Sequence, residues 1–133
     1  MNVKFFHVVL ILTAMVALHF TANAIGMYES RIIWIDKVLH IMAGSAIAML
    51  WVWFLQRRNL VSRDSFLLFS SVVGFVALVA IGWEIVEYGF WRTLPNYATI
   101  YNIYSPNIFD LLSDVVFNLI GGSLFALYLK RKI

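Results

Sequence analysis

Residues 66–90, FLLFSSVVGFVALVAIGWEIVEYGF, decide the fold class, because no charged side chain interrupts them before Glu84. A helix needs about 20 apolar residues to cross the hydrocarbon core of a bilayer, so this segment predicts a membrane-spanning helix. Three further apolar runs lie at about 5–25, 38–55 and 109–129. The sequence therefore predicts an all-α integral membrane protein, a bundle of four transmembrane helices in a single domain, 1–133.

Composition excludes the soluble classes of protein. The chain is 62% hydrophobic and 13% charged, with a mean hydropathy of +0.85, whereas soluble domains carry about 25% charged residues. Short alternating strands do not recur, and a helix is the other backbone that satisfies its own hydrogen bonds in lipid. The chain has no cysteine, which excludes disulfides and thiolate metal sites.

The basic residues predict the topology. They cluster before the first helix, in the second connection and at the end of the chain, at Lys4, Arg57, Arg58, Arg63, Lys130, Arg131 and Lys132. By the positive-inside rule, both termini lie in the cytoplasm and the protein is a multi-pass protein of the cytoplasmic membrane. Nucleic acid is not an expected partner, because no aromatic platform interleaves with these residues.

The start of the chain also has features of a signal peptide. Lys4, the apolar stretch after it and the small-residue run 21–24 are typical of one. We favour a retained helix, because the apolar stretch is longer than the usual hydrophobic region of a signal peptide.

Two features of the connections and helices predict local structure. The third connection, 92–108, is the only long one, and we expect an irregular cap over a site or a simple tether, with Asn107 capping the last helix. Small residues such as Gly44, Gly121 and Gly122 predict close helix contacts, the last two with helix two or three. Tyr28 and Trp83 belong to the aromatic residues expected at the membrane interface.

Polar side chains gather at one end of three predicted helices. Each set is spaced three or four residues apart, so its members share a helix face. With helices two and four entering from outside, all of them lie within roughly the outer 15 Å of the bilayer, at about 1.5 Å of rise per residue. The sets are Asp36 with His40, Glu84 with Glu87, and Asp110 with Asp114 and Asn118.

This cluster contains five of the seven acidic residues of the chain. An ionised carboxylate in a membrane helix costs about 2.5 to 3.5 kcal/mol on insertion scales. The carboxylates must therefore be paired, protonated, hydrated or bound to a metal. Lys37, Arg31 and Arg92 are the nearby cations, and Asp110 also suits a capping role in the first turn of its helix.

Four roles for the cluster remain open. In the first it is structural, with ion pairs, a cap and a wet crevice. In the second it holds a divalent ion such as Mg, Mn, Ca or Zn through His40, Glu84, Glu87 and Asp114. In the third, His40 and Glu84 are catalytic, as acid, base or nucleophile. The fourth is a proton or ion pathway, which the apolar cytoplasmic half of the helices disfavours. His19 and Asn23 in the outer half of helix one could add to the crevice, although either is more often a helix–helix hydrogen-bonding group than a ligand.

The polar residues together resemble a known family, the VanZ-like superfamily of small bacterial membrane proteins. The resemblance covers helices two to four, and the WExxE and DxxxDxxxN motifs are similar to one branch of that superfamily. It implies a cell-envelope protein with a polar site that faces outward. The motifs are Asp36-Lys37-x-x-His40-x-x-x-Gly44, Trp83-Glu84-x-x-Glu87 and Asp110-x-x-x-Asp114-x-x-x-Asn118-x-x-Gly121.

The residues and the resemblance lead to one functional expectation. We expect the site to bind a polar lipid-linked or phosphate-bearing envelope group, with Asp36, Lys37, Asp110 and Asn118 as binding residues and membrane lipids as neighbours. If the protein is an enzyme, a metal-dependent hydrolase is expected. The alternatives are a non-enzymatic scaffold or binding protein, and third, a transporter coupled to protons or ions.

Overall fold

The computed structural model describes residues 3–28, 34–103 and 107–130. These residues form helices without any strand. The helices are α1 (Phe5–Ala24), α2 (Trp34–Arg57), α3 (Ser65–Thr93), α4 (Pro95–Ile100) and α5 (Ile108–Lys130).

Four of these helices, α1, α2, α3 and α5, are long and apolar enough to cross a membrane. The predicted fold class, an all-α membrane protein with four spanning helices, is confirmed. The helices differ from the predicted ones mainly in length, because α2 is described from Trp34 and α3 continues to Thr93. Asp36 therefore lies within the first turn of α2, one turn from His40, as their spacing predicts.

The third connection is more regular than its sequence suggested. It contains α4, a short helix with Pro95 at its first position, where proline is well tolerated because that amide needs no partner. Ala98 of α4 is fully buried, and α4 packs on α3. Tyr104 and Pro106 of this connection lie outside the described residues.

Two helix starts are fixed by side-chain caps. Asp64 accepts hydrogen bonds from the amides of Phe66 and Leu67 at the start of α3. Asn107 accepts one from the amide of Phe109 at 3.0 Å, which confirms its predicted role as the cap of α5. Because the Asp110 carboxylate is not needed as the cap, it is available for the site described below.

Helix α2 is the centre of the bundle. It packs against α1, α3 and α5, and α3 and α5 also pack against each other. We call the end of the bundle with Asp36 and Asp110 the acidic end, and the end with Lys4 and Arg57 the basic end. The buried apolar core fills the basic half of the bundle, with Val52, Val72, Val76, Phe125 and Leu129 among its members.

The tightest helix contact joins α2 and α5. A Cβ atom on Gly44 would overlap the Asn118 carbonyl, and one on Gly121 would overlap the Ile41 carbonyl. The Ser45 hydroxyl also donates to the Gly121 carbonyl across the contact at 3.1 Å. Only glycine allows two helix backbones to approach this closely, and in lipid such packing drives helix association.

The other glycine of the pair in α5 faces a different helix. A Cβ atom on Gly122 would crowd the side chain of Val76 in α3. The expectation that Gly121 and Gly122 contact helix two or three is thus confirmed, with one glycine against each helix.

Helix α1 stands apart from most of the bundle. Across the described ranges 3–28, 34–103 and 107–130, it packs against α2 but not against α3 or α5. A space is therefore left between α1 and α3 in the acidic half, and this space forms the cavity of the site.

Candidate functional site

Lys37 joins three carboxylates at the acidic end. Its Nζ donates to Asp36 at 3.1 Å, to Asp110 at 2.8 Å and to Asp114 at 2.5 Å. The Lys37 residue is only 7% exposed, so water screens these ion pairs weakly. The side chain that the sequence offered as a partner for one carboxylate thus joins α2 to α5 through Asp110 and Asp114, and it also pairs with Asp36 on its own helix.

The other two cations considered as partners behave differently. Arg92 forms no ion pair within the part of the chain that the structure describes. Arg31 lies outside the described residues. Lys37 is therefore the cation that the structure assigns to this cluster.

His40 lies beside this ion-pair cluster, one turn along α2 from Asp36. Its Nε2 atom is 3.5 Å from an Asp36 oxygen and 3.6 Å from an Asp114 oxygen. Its Nδ1 atom is 2.9 Å from the amide nitrogen of Asn118, which also donates to the Asp114 backbone carbonyl at 2.9 Å.

The Asn118 contacts determine which nitrogen of a neutral His40 carries the hydrogen. A backbone carbonyl can only accept, so the Asn118 atom beside it must be the amide nitrogen. That nitrogen can only donate, which makes His40 Nδ1 the acceptor. The hydrogen of the neutral imidazole is then on Nε2 and faces the carboxylates of Asp36 and Asp114.

Three of these side chains have the spacing of a metal site. One potential ligand atom from each of Asp36, His40 and Asp114 lies within 4.8 Å of the others. The predicted set had Glu84 and Glu87 in place of Asp36, and in the described residues these two glutamates are not part of the group. Carboxylate and imidazole donors suit a divalent ion, but such an ion would compete with Lys37 for Asp36 and Asp114.

Glu84 and Glu87 lie on one face of α3, across from the Lys37 cluster. Glu84 is 5% exposed, and among the described residues its Oε1 atom has no hydrogen-bond partner. Glu87 accepts a hydrogen bond from the indole of Trp83 at 2.7 Å. Buried polar atoms are nearly always paired, so an unpartnered carboxylate oxygen indicates a functional position.

All five carboxylates line one cavity of about 840 Å³. Its acidic end is formed by these groups together with His40 and Asn118. His19, Tyr28 and Asn102 also line it, and the rest of its wall is apolar and includes Leu12, Met15, Val16, Ile47 and Val79.

The cavity reaches the side of the bundle between α1 and α3. Val16 and Phe20 line it from α1 and are 49% and 53% exposed, and Val86 and Trp83 line it from α3 and are about as exposed. Apolar side chains that are exposed on a membrane-spanning bundle face lipid. The chamber is thus bordered, between α1 and α3, by exposed apolar side chains.

Hydrogen bonds join the end of α1 to Tyr28 and to the segment after α4, and we call this layer beside the cavity the roof. His19 bonds through Nδ1 to the Tyr28 hydroxyl at 2.8 Å and through Nε2 to the Tyr101 carbonyl at 3.0 Å. Asn102 donates to the Asn23 side chain at 2.7 Å. Because the Tyr101 carbonyl can only accept, Nε2 of His19 carries hydrogen, and in the neutral ring Nδ1 accepts from the Tyr28 hydroxyl.

Tyr28 is part of the site, although its position suggested only an interfacial anchor. Burial, with a smaller contribution from the negative charge of Asp36, raises the pKa of Tyr28 to about 12. Tyr28 and Asn102 are the site residues that sequence reasoning missed. The signal that could have found them is the pair of polar residues His19 and Asn23, four apart on an otherwise apolar α1.

The fold and the site together define a class: a four-helix membrane protein with a cavity between α1 and α3 that is acidic at one end. Comparison with known proteins supports the membrane part of this description. The family model described as "Predicted membrane protein (DUF2238)" matches residues 2–132, and the chain belongs to this family. No curated protein and no solved structure matches the chain.

Proposed function

We propose that the protein binds an amphiphile of the cell envelope, a lipid or lipid-linked molecule, in the cavity between α1 and α3. The headgroup lies at the acidic end and the chain lies along the apolar wall. The observation that carries the proposal is the single chamber that joins five carboxylates to an apolar surface exposed at the side of the bundle.

The size of the chamber supports this ligand class. Ligand pockets in proteins usually measure about 300–1,000 Å³, and this one measures about 840 Å³. From Asp36 to Ile47 the cavity follows three turns of α2, roughly 16 Å at about 1.5 Å per residue. This is close to one leaflet of a hydrocarbon core about 30 Å thick, so a ligand can enter from the bilayer without leaving its leaflet.

The orientation and the envelope role are part of the same proposal. The basic residues at Lys4, Arg57 and Arg63 favour a cytoplasmic basic end, which places the acidic end at the outer face of the cytoplasmic membrane. The resemblance to the VanZ-like superfamily supports a role in the envelope. The ligand is then a molecule of the outer leaflet.

A second candidate function is metal-dependent hydrolysis of a lipid-linked or phosphate-bearing group. The spacing of Asp36, His40 and Asp114 favours it, with His40 and Glu84 as the catalytic residues of the sequence-based hypothesis. A bound divalent ion would polarise a phosphoryl or carbonyl oxygen. This candidate predicts that purified protein holds stoichiometric metal and that EDTA lowers its melting temperature. Metal content below a tenth of an equivalent, with no response to EDTA or added Mg, Mn, Ca or Zn, would exclude it.

The remaining hypotheses make different demands on the same residues. A scaffold needs no ligand in the cavity, and it is the outcome if none binds. A proton or ion pathway needs polar groups through the basic half, and the packed apolar core there disfavours it.

The proposal is tested by filling the cavity. Ala43 lines the chamber from α2, so Ala43→Trp places a large ring inside it. Leu78→Trp is the matched control, because Leu78 is exposed on the lipid-facing side of α3 and does not line the chamber. Nondenaturing mass spectrometry of protein extracted gently from membranes is expected to show one retained amphiphile in the natural protein and in Leu78→Trp, and none in Ala43→Trp. Equal retention by all three proteins would contradict the proposal.

A further inference from the structure

The charges around the cavity are strongly unbalanced. The cavity is lined by Asp36, Glu84, Glu87, Asp110 and Asp114 and, among the described residues, by no lysine or arginine. Lys37 compensates the three aspartates from behind the wall. Neither Glu84 nor Glu87 on α3 pairs with a lysine or arginine within the described part of the chain, and His40 is the group that acts on both of them with positive charge when it is protonated.

Glu84 is the group that most needs a partner. It is buried, its Oε1 atom has no hydrogen bond among the described residues, and it lines the cavity. Glu87 follows one turn later on the same face, held by the indole N–H of Trp83. Burying a carboxylate in this position costs free energy unless a ligand supplies a hydrogen bond or an opposite charge.

The surroundings of the two glutamates select the kind of ligand. An anionic headgroup would meet five carboxylates in a cavity lined by no lysine or arginine among the described residues, and even a protonated His40 would leave the lining negative, so the headgroup would be repelled. A positively charged nitrogen would be attracted by both glutamates. Trp83 and Phe90 also line this part of the cavity, and aromatic rings attract ammonium groups over their faces.

We propose that Glu84 and Glu87 form a subsite for the ammonium headgroup of the bound amphiphile. This inference rests on the proposed function, because it identifies the headgroup of the ligand in the same cavity. The amphiphile enters between α1 and α3, its chain lies against Leu12 and Val79, and its nitrogen lies beside the Glu84 carboxylate. The Lys37 cluster on the opposite wall remains a structural ion-pair network.

The test compares amphiphiles that share one chain and differ in headgroup charge. The purified full-length protein in dodecyl maltoside receives low mole fractions of dodecylammonium or dodecyl phosphate, and bound adducts are counted by nondenaturing mass spectrometry. Dodecylammonium is expected to bind one to one, to displace the neutral detergent, and to bind at least tenfold more tightly than dodecyl phosphate.

The variants separate a binding role from a structural one. Glu84→Gln keeps the shape of the side chain and is expected to weaken dodecylammonium binding at least tenfold, while the melting temperature of the ligand-free protein stays the same or rises. Glu87→Gln is the second variant, with a loss in the same direction. Asp64→Asn is the control: it removes one negative charge from the other end of α3 and keeps a residue that caps helices well.

The outcomes distinguish the ammonium subsite from the proposed function on which it rests. The ammonium subsite is refuted if dodecyl phosphate binds as tightly as dodecylammonium, if binding requires an added divalent ion, or if Glu84→Gln and Asp64→Asn behave alike. In those cases an amphiphile still binds, and the proposed function survives. If no amphiphile binds and Ala43→Trp changes nothing, the proposed function itself fails. If Glu84→Gln lowers the melting temperature and weakens all adducts equally, Glu84 is structural and the subsite is also refuted.

Discussion

Replacing Lys37 by methionine is expected to destabilise the bundle severely. Methionine keeps much of the length of the side chain but removes the ammonium that bonds to Asp36, Asp110 and Asp114. Asp114 has a side chain only 10% exposed, so its charge would be left buried without the ammonium and with only His40 Nε2, at 3.6 Å, as a possible source of positive charge. Asp36 and Asp110 have side chains 34% exposed, and water would compensate part of their charge.

The exposed fractions of the three carboxylates determine how much stability the substitution is expected to remove. Removing one partner of a buried ion pair usually costs about 3–5 kcal/mol. Because only one of the three carboxylates is deeply buried, we expect the lower end, about 3 kcal/mol. At about 1.4 kcal/mol per factor of ten, that is a loss of roughly a hundredfold in the folding equilibrium constant.

The free energy of unfolding can be measured by SDS titration in mixed micelles, with the fluorescence of the five tryptophans as the signal. Arg63→Met is the control, because it removes one exposed cation at the basic end and should change stability by less than about 0.5 kcal/mol. Adding Asp114→Asn to Lys37→Met should restore part of the loss, since it removes the uncompensated charge. A Lys37→Met protein as stable as the Arg63→Met control would refute the reasoning.

Two further predictions concern the helix contact and the roof. Gly44→Ala is expected to destabilise the protein by at least the usual cost of overpacking, about 1–3 kcal/mol, because the added Cβ would overlap the Asn118 carbonyl and separate α2 from α5. Gly74→Ala is the control, because a Cβ atom there has nothing within 4 Å. Equal melting temperatures for the two variants would contradict the close packing. The raised pKa of Tyr28, about 12 against the usual 10.0, means that the folded state holds the phenol proton more tightly than the unfolded state. The stability that Tyr28 contributes is thus fully present below pH 10 and is lost as the pH rises towards 12. Melting temperatures from pH 9 to 11.5 should fall more steeply for the natural protein than for Tyr28→Phe, and parallel curves would show that Tyr28 does not titrate as described.

The fold could be predicted from the sequence because a bilayer imposes a simple rule. A helix of about 20 apolar residues spans it, and 66–90 satisfies that rule on its own. The meeting of Asp36, His40 and Asp114 was also predictable, since the spacing puts each set on one helix face and the basic residues set a common depth. The close helix contact at Gly121 was predictable too, because a small residue within a spanning helix allows two backbones to approach each other.

The cavity could not be predicted in this way. It exists because α1 packs against α2 without reaching α3, and no local pattern in either helix encodes the distance between them. For the same reason, the sequence indicated Lys37 only as one of several cations that could pair with the carboxylates. Its two bonds to α5 depend on how α2 and α5 cross at Gly44 and Gly121, and only the packed bundle brings Asp110 and Asp114 to the same Nζ atom.

The most direct test of the central claim is an experimental structure of the protein in lipid nanodiscs made from membranes of its own source. We expect continuous density between α1 and α3, with a chain along Leu12, Ile47 and Val79 and a headgroup beside Glu84. A structure in which α1 closes against α3, or in which the chamber between them contains only water, would contradict it.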